Sequence, residues 1–230
     1  SLYPVDERIS DRLASLIEPF TVGCRAARRG MIPAGEGRYL SGQSAVVFGC
    51  GTIGIAAAAA FSYFGMARVM LCDFSDFRLN LAKRLGFAVC NPAREDFRAR
   101  ALDYFGTAPS LSGQTANIDC WLDAAGAPPI LEDFLHSGKI ESRFVSVGVN
   151  NAPRTIDLLH MTYAQQSIIG SGGYMPQDVW DVQHIMTCGR WDLESIITHE
   201  FPLDQLETAI RTAADVDHAG NVVIHVCSDS

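Results

Sequence analysis

The stretch "SAVVFGCGTIGIAAAAAF", residues 44–61, places three glycines between an apolar run and a run of alanines. Gly49, Gly51 and Gly54 form G-x-G-x-x-G. The residues before them, "AVVF" (45–48), read as a short buried strand, and residues 53–65 read as an Ala-rich helix, so the motif sits on a strand-to-helix turn. In that setting each glycine has its own task. Gly49 permits the tight turn, Gly51 lets a pyrophosphate approach bare backbone, and Gly54 lets the helix pack closely on the strand. The helix start offers unpaired N–H groups and a positive dipole end to phosphates. Asp73 stands 19 residues beyond Gly54, at the end of the next strand. Its carboxylate is placed to accept both hydroxyls of an adenosine ribose, which favours NAD over NADP. Arg78 blurs that preference, because a nearby cation tolerates a 2′-phosphate.

Working outward, strand-like runs alternate with helical ones. "AVVF", "RVMLC" (68–72), "FAVC" (87–90), "IDCWLD" (118–123), "RFVSVGV" (143–149) and "SIIGS" (167–171) are short and apolar, mostly without alternation. That pattern suits strands buried on both faces of a parallel sheet. Between them, 75–86, 128–138 and 176–189 carry helical spacing and end in glycine. The alternation predicts an α/β fold, a Rossmann-type doubly wound parallel sheet. Residues 31–44 read as a loop. The segment upstream of them reads as helical and broken near Pro19, and the segment after 195 as strand, helix, strand.

Composition narrows the classes. The net charge of −8 and a single short basic cluster, "RAARRG" (25–30), argue against a nucleic-acid partner. No apolar run reaches 18 residues, so no membrane span is expected, and the acidic start is not a signal peptide. Seven cysteines, Cys24, Cys50, Cys72, Cys90, Cys120, Cys188 and Cys227, include no C-x-x-C pair. They read as reduced, mostly buried thiols of a cytoplasmic protein. Two rival functions use a similar loop. A methyltransferase binding S-adenosylmethionine is disfavoured because Val47 stands where an acid is usual. A non-catalytic NAD-binding sensor or subunit module needs the same glycines and stays open.

Four stretches together resemble the medium-chain, zinc-dependent alcohol dehydrogenases, nearest the sorbitol (polyol) and threonine dehydrogenase branch. These are "LIEPFTVGCRAARRG" (16–30), "VVFGCGTIG" with "VMLCDFSDFRLNLAKRLG", "DCWLDAAGAP" (119–128), and "RFVSVGV" with "SIIGSGGYMPQDV" and "IITHEFPLDQLETAI". The resemblance implies three parts. Residues 1–34 are a helical lead-in from a catalytic domain, 35–192 an NAD-binding Rossmann domain, and 193–230 a segment returning to the catalytic domain. The two end parts would be flanking remnants of a GroES-like domain, exposing Leu13, Ile17, Phe20 and Phe201 in its absence.

The resemblance also places cofactor contacts. The pyrophosphate loop falls at Gly49 to Gly54, with Thr52 and Ile53 inside it. Asp73 and Arg78 fall at the adenosine, and Ala125 and Gly126 on the adenine side. Val147, Gly148 and Val149 match the backbone beside the nicotinamide, and Ser171 and Gly172 match the next strand end. Glu18 matches a glutamate that approaches the catalytic zinc. The implied enzyme transfers hydride between a secondary alcohol, a small alcohol or polyol, and NAD, with zinc as Lewis acid. Relatives are dimers or tetramers, so a homo-oligomer is expected. The zinc ligands of the family's N-terminal domain are not in this sequence. His136, His160, His184, His199, His218 and His225 form no i, i+4 metal pair. The chain by itself is therefore expected to bind NAD and turn over little.

Overall fold

The computed structural model describes residues 2–36 and 38–226. Cys227 therefore lies outside the described residues. Six strands form one all-parallel sheet: β1 (Ser44–Phe48), β2 (Arg68–Cys72), β3 (Ala88–Cys90), β4 (Cys120–Asp123), β5 (Arg143–Ser146) and β6 (Ser167–Gly170). Their order across the sheet is β6-β5-β4-β1-β2-β3. Chain order reverses between β1 and β4, the topological switch point of a doubly wound Rossmann sheet. β1 is buried at every residue because helices cover both faces.

The helices follow the sequence signals closely. The one after the glycines is α2 (Thr52–Tyr63). Ser75 caps the helix Asp76–Arg84, accepting a bond from the Arg78 N–H. Pro128 opens Pro128–Ser137, and Val179, Val182, Ile185 and Met186 are buried on Pro176–Thr187. Two expected lengths change. β5 stops at Ser146, so Val147 to Val149 form a loop rather than a strand end. Residues 31–44 contain a small antiparallel pairing, Pro33–Gly35 with Arg38–Tyr39.

The lead-in segment departs most from expectation. α1 (Ile17–Gly30) runs unbroken through Pro19, because a proline in the first turn loses no intrahelical hydrogen bond. Leu13 and Phe20 are buried, and Ile17 and Phe201 are half-buried, rather than exposed. The cause is close helix packing. A Cβ at Gly23 would lie 2.6 Å from the Ala56 Cβ, and one at Gly30 would lie 2.5 Å from the Cys120 sulfur. Glycines seven residues apart thus open one face of α1, which Ala56 and Ala57 meet at Gly23 and which Cys120 and Phe61 meet at Gly30.

α1 is also fixed by charge. Arg28 pairs with Asp178 at 2.8 Å and with Asp181, reaches the Tyr39 hydroxyl at 3.2 Å, and lies over the Phe64 ring. Asp178 is fully buried. Arg28→Ala is expected to cost about 3 kcal/mol, because it strands a buried carboxylate. Removing Arg38 from its exposed pair with Glu36 is expected to change nothing measurable. Urea midpoints of the two variants check both.

A short C-terminal segment adds a second, two-stranded parallel sheet. β7 (Ile197–Pro202) pairs in parallel with β8 (Asn221–His225), and the helix Leu206–Ala213 connects them. No helix among the described residues is long and apolar enough to cross a membrane.

Candidate functional site

The site lies where β1 and β4 part at their C-terminal ends. Gly49 has φ +98°, a left-handed conformation that L side chains rarely adopt, and its N–H donates to the Cys72 carbonyl at 2.8 Å. A Cβ at Gly54 would sit 1.8 Å from the Gly49 carbonyl oxygen. Those two glycines serve the chain's own turn and packing. Gly51 does not. Its backbone is extended, and a Cβ there would meet nothing nearer than Arg78 Nη1 at 3.9 Å. Gly51 is the N-cap of α2 and has no side-chain oxygen to close the helix mouth. The first N–H groups of α2 therefore face open space at its positive end.

Asp73 follows β2 and is half-buried. Its two oxygens accept the N–H groups of Cys50 at 2.7 Å and Ser75 at 2.9 Å. These bonds fix the carboxylate and leave each oxygen a free lone pair. The acid therefore holds the glycine loop as well as facing the cleft. Asp73 shares that cleft with Phe48, Gly49, Cys72, Phe74, Pro92, Ala125, Ala127, Pro129, Ile130 and Asp133, a mostly apolar slot with two carboxylates on its walls. Arg78 Nε is buried and has no hydrogen-bond partner.

On the other side of the switch point, Asp123 ends β4. Its carboxylate accepts the N–H groups of Ala125 at 3.0 Å and Gly126 at 2.7 Å, and burial raises its pKa above the usual carboxylate value. A Cβ at Gly148 would lie 2.3 Å from the Gly126 nitrogen. Gly126 and Gly148 thus press the loops after β4 and β5 together, and the Val147 and Gly148 N–H groups donate to the Asp123 carbonyl. Val149 projects fully into solvent. Ser171, just past β6, is buried with an unpartnered hydroxyl, and Gly172 beside it has open space where a Cβ would point.

The structure places Gly49, Gly51, Thr52, Gly54, Asp73, Arg78 and Ala125 around the first half of the crevice. Val147, Gly148, Val149, Ser171 and Gly172 follow the adjoining strand ends β5 and β6. Ile53 turns its carbonyl toward Gly23 of α1 instead. Three residues on no earlier list also hold the site. They are Asp123, Asn150, which donates to the Gly126 carbonyl, and Asn221, which accepts from the Thr52 hydroxyl.

Residues 52–186 match the sequence profile of a family described as zinc-binding dehydrogenase. The chain belongs to the zinc-binding dehydrogenase family. It is 27% identical over 206 residues to L-threonine 3-dehydrogenase of Yersinia pestis, covering 89% of this chain and 56% of that protein. The chain thus spans little more than half the length of this relative. Its fold is shared with 2R,3R-butanediol dehydrogenase of Bacillus subtilis, at a TM-score of 0.80 and 21% identity, over 98% of this chain and 60% of that one. It is shared as well with a short chain alcohol dehydrogenase of Escherichia coli solved with NADH, at 0.78 and 22%, over 96% and 61%.

For this zinc-binding dehydrogenase chain, the two implied groups fare differently. A dinucleotide fits, because the Gly51 backbone is open at the helix mouth, and two buried polar atoms near it and near the end of β6, Arg78 Nε and the Ser171 hydroxyl, have no partner. A catalytic zinc does not fit the donors present. Glu18 is exposed in the first turn of α1. Among the described residues, the only group of three donors close enough for a metal is Cys24, Asp178 and Asp181. Arg28 already neutralises that group, and burial pushes the Cys24 thiol up to about 12, so the thiolate a metal needs is not formed. Among the cysteines of the described residues, native-state alkylation at pH ~8 is expected to mark the exposed Cys188 and spare the buried Cys24, Cys50, Cys72, Cys90 and Cys120, checked by peptide mass mapping.

Proposed function

We propose that this chain is the NAD(H)-binding part of a zinc-dependent alcohol or polyol dehydrogenase. The observation that carries this reading is the bare Gly51 backbone at the mouth of α2, at the switch point of the sheet. The α2 N–H groups bind the diphosphate. Asp73, held rigid by Cys50 and Ser75, accepts the ribose hydroxyls with its free lone pairs. Arg78 contributes positive charge beside the loop. The apolar slot between Phe74 and Ile130 excludes water from the adenine face. Along β5 and β6, the Val147–Val149 backbone and the Ser171 hydroxyl orient the nicotinamide end. When bound, NAD supplies the hydride acceptor.

The whole protein, in this reading, oxidises a small secondary alcohol, with zinc held by a catalytic domain to which residues 1–34 and 193–230 connect. In this reading Glu18, exposed in the first turn of α1, is the residue of this chain that approaches the zinc. The apolar side chains Val149, Leu158, Leu159, Tyr163 and Met175 are exposed near one edge of the sheet, which supports a dimer or tetramer. The reduced, buried thiols fit a cytoplasmic setting.

Calorimetric titration with NAD and NADP tests the core of this. The chain is expected to prefer NAD by about tenfold or more, and Asp73→Asn is expected to erase the preference. Equal affinity of the unaltered chain for both cofactors would remove the role given to Asp73.

A further inference from the structure

Thr52, the first residue of α2, donates its hydroxyl proton to Asn221 Oδ1. Asn221 opens β8, 169 residues away and outside the family-matched segment. It is held there by its own unit. The Thr198 hydroxyl donates to the Asn221 carbonyl at 3.4 Å and accepts the Gly220 N–H at 2.9 Å. A Cβ at Gly220 would lie 2.7 Å from the Ile196 carbonyl and 2.9 Å from the Leu81 side chain. A second tie runs alongside, from the Ser75 hydroxyl to the Val216 carbonyl at 2.7 Å. The turn before β8 is thus clamped along the rim of the crevice, next to both the glycine loop and the cap of the following helix.

The chemistry of the pair is directional. A hydroxyl has one proton. With that proton given to Asn221, Thr52 cannot also donate it to a phosphate oxygen. The Asn221 amide has two further N–H bonds on Nδ2, which make no hydrogen bond among the described residues. Asn221 is half-buried, so this donor is not wholly surrendered to water. A neutral double donor at the positive end of a helix is matched to an anion.

We propose that Asn221 is a positioning residue of the cofactor site, locking the Thr52 hydroxyl through Oδ1 and offering Nδ2 to a diphosphate oxygen. This rests on the cofactor reading above. It also ties the C-terminal unit to dinucleotide binding.

The test compares ADP-ribose, which has the diphosphate, with adenosine, which lacks it. Titrations followed by NMR on the 230-residue chain would use the unaltered protein, Asn221→Ala, Asn221→Asp, Thr52→Val and Thr52→Ser. Asn221→Ala and Thr52→Val are each expected to weaken ADP-ribose about tenfold, and the double variant is expected to lose little more. Thr52→Ser restores the hydroxyl and the affinity. Asn221→Asp keeps the acceptor for Thr52 but sets a carboxylate against the diphosphate. It is expected to weaken ADP-ribose about a hundredfold, less so at high salt. Adenosine binding should not change in any variant. Native ADP-ribose affinity in Asn221→Asp overturns the proposal, and so does an equal loss for both ligands, which marks a merely structural role. If the unaltered chain binds neither ADP-ribose nor NADH, the cofactor reading itself fails and this inference with it. Unaltered binding with an unmoved ratio sinks only the role of Asn221.

Discussion

A Gly51→Val chain is expected to fold and to lose its dinucleotide, with affinity for NADH falling by about a hundredfold or more. The backbone at Gly51 is extended, so a branched side chain is conformationally acceptable, and only Arg78 Nη1 lies within 4 Å of the added Cβ. The direct cost to the fold is the loss of a good N-cap residue, on the order of 1 kcal/mol. The cost to binding is far larger. The added methyls stand in the space before the first N–H groups of α2, and a diphosphate that cannot reach them loses charge-assisted hydrogen bonds and the helix dipole together. Thermal melting alongside calorimetry separates the two effects. Native NADH affinity in Gly51→Val would mean that the diphosphate rests elsewhere.

That asymmetry among three glycines bears on what could be read before the fold was known. The motif, the strand before it, the helix after it and Asp73 are local features, and local chemistry sufficed for them. The doubly wound parallel sheet also followed from simple rules, since repeated strand–helix alternation allows few sheets, while the strand order itself came only from the structure. What stayed hidden is what depends on a distant partner. Phe20 was expected to be exposed, and nothing local told that α1 packs closely on α2 at Gly23 and Ala56 and that Phe20 joins the same core. The Gly23 and Gly30 spacing, matched to an alanine run elsewhere, was the available clue. The strand pair Thr107–Ser110 with Gly113–Ala116 has few β-branched residues and gave no signal. That Gly126 and Gly148 also press on each other could not be read from their motifs. Asn221 had no local signature at all, because its meaning comes from a bond to Thr52.

The opposite substitution effect is expected one turn further along the same loop. Gly54→Ala adds only a methyl group, yet places it 1.8 Å from the Gly49 carbonyl oxygen, about half an ordinary contact distance. Neither side can yield cheaply. The Gly49 carbonyl belongs to a turn fixed by φ +98° and by its N–H bond to Cys72, and Gly54 lies in a helix whose next six residues are buried. Relief requires α2 to lift from β1, which would open the packed alanine face against α1 and part the central strand from its cover. The expected loss is more than about 4 kcal/mol, the range reserved for disruption of a core. For a domain whose whole stability is about 5–15 kcal/mol, that brings the chain near unfolding at ordinary temperature. Urea denaturation followed by tryptophan fluorescence would show a midpoint collapsed toward zero, or no folded baseline. An NADH concentration that raises the melting point of the unaltered chain should raise that of Gly51→Val far less, because the stabilisation follows the affinity of the folded form. A Gly54→Ala chain with a native urea midpoint would mean that α2 does not seat on the Gly49 turn as closely as described, and the sheet-to-helix geometry that frames the crevice would have to be redrawn.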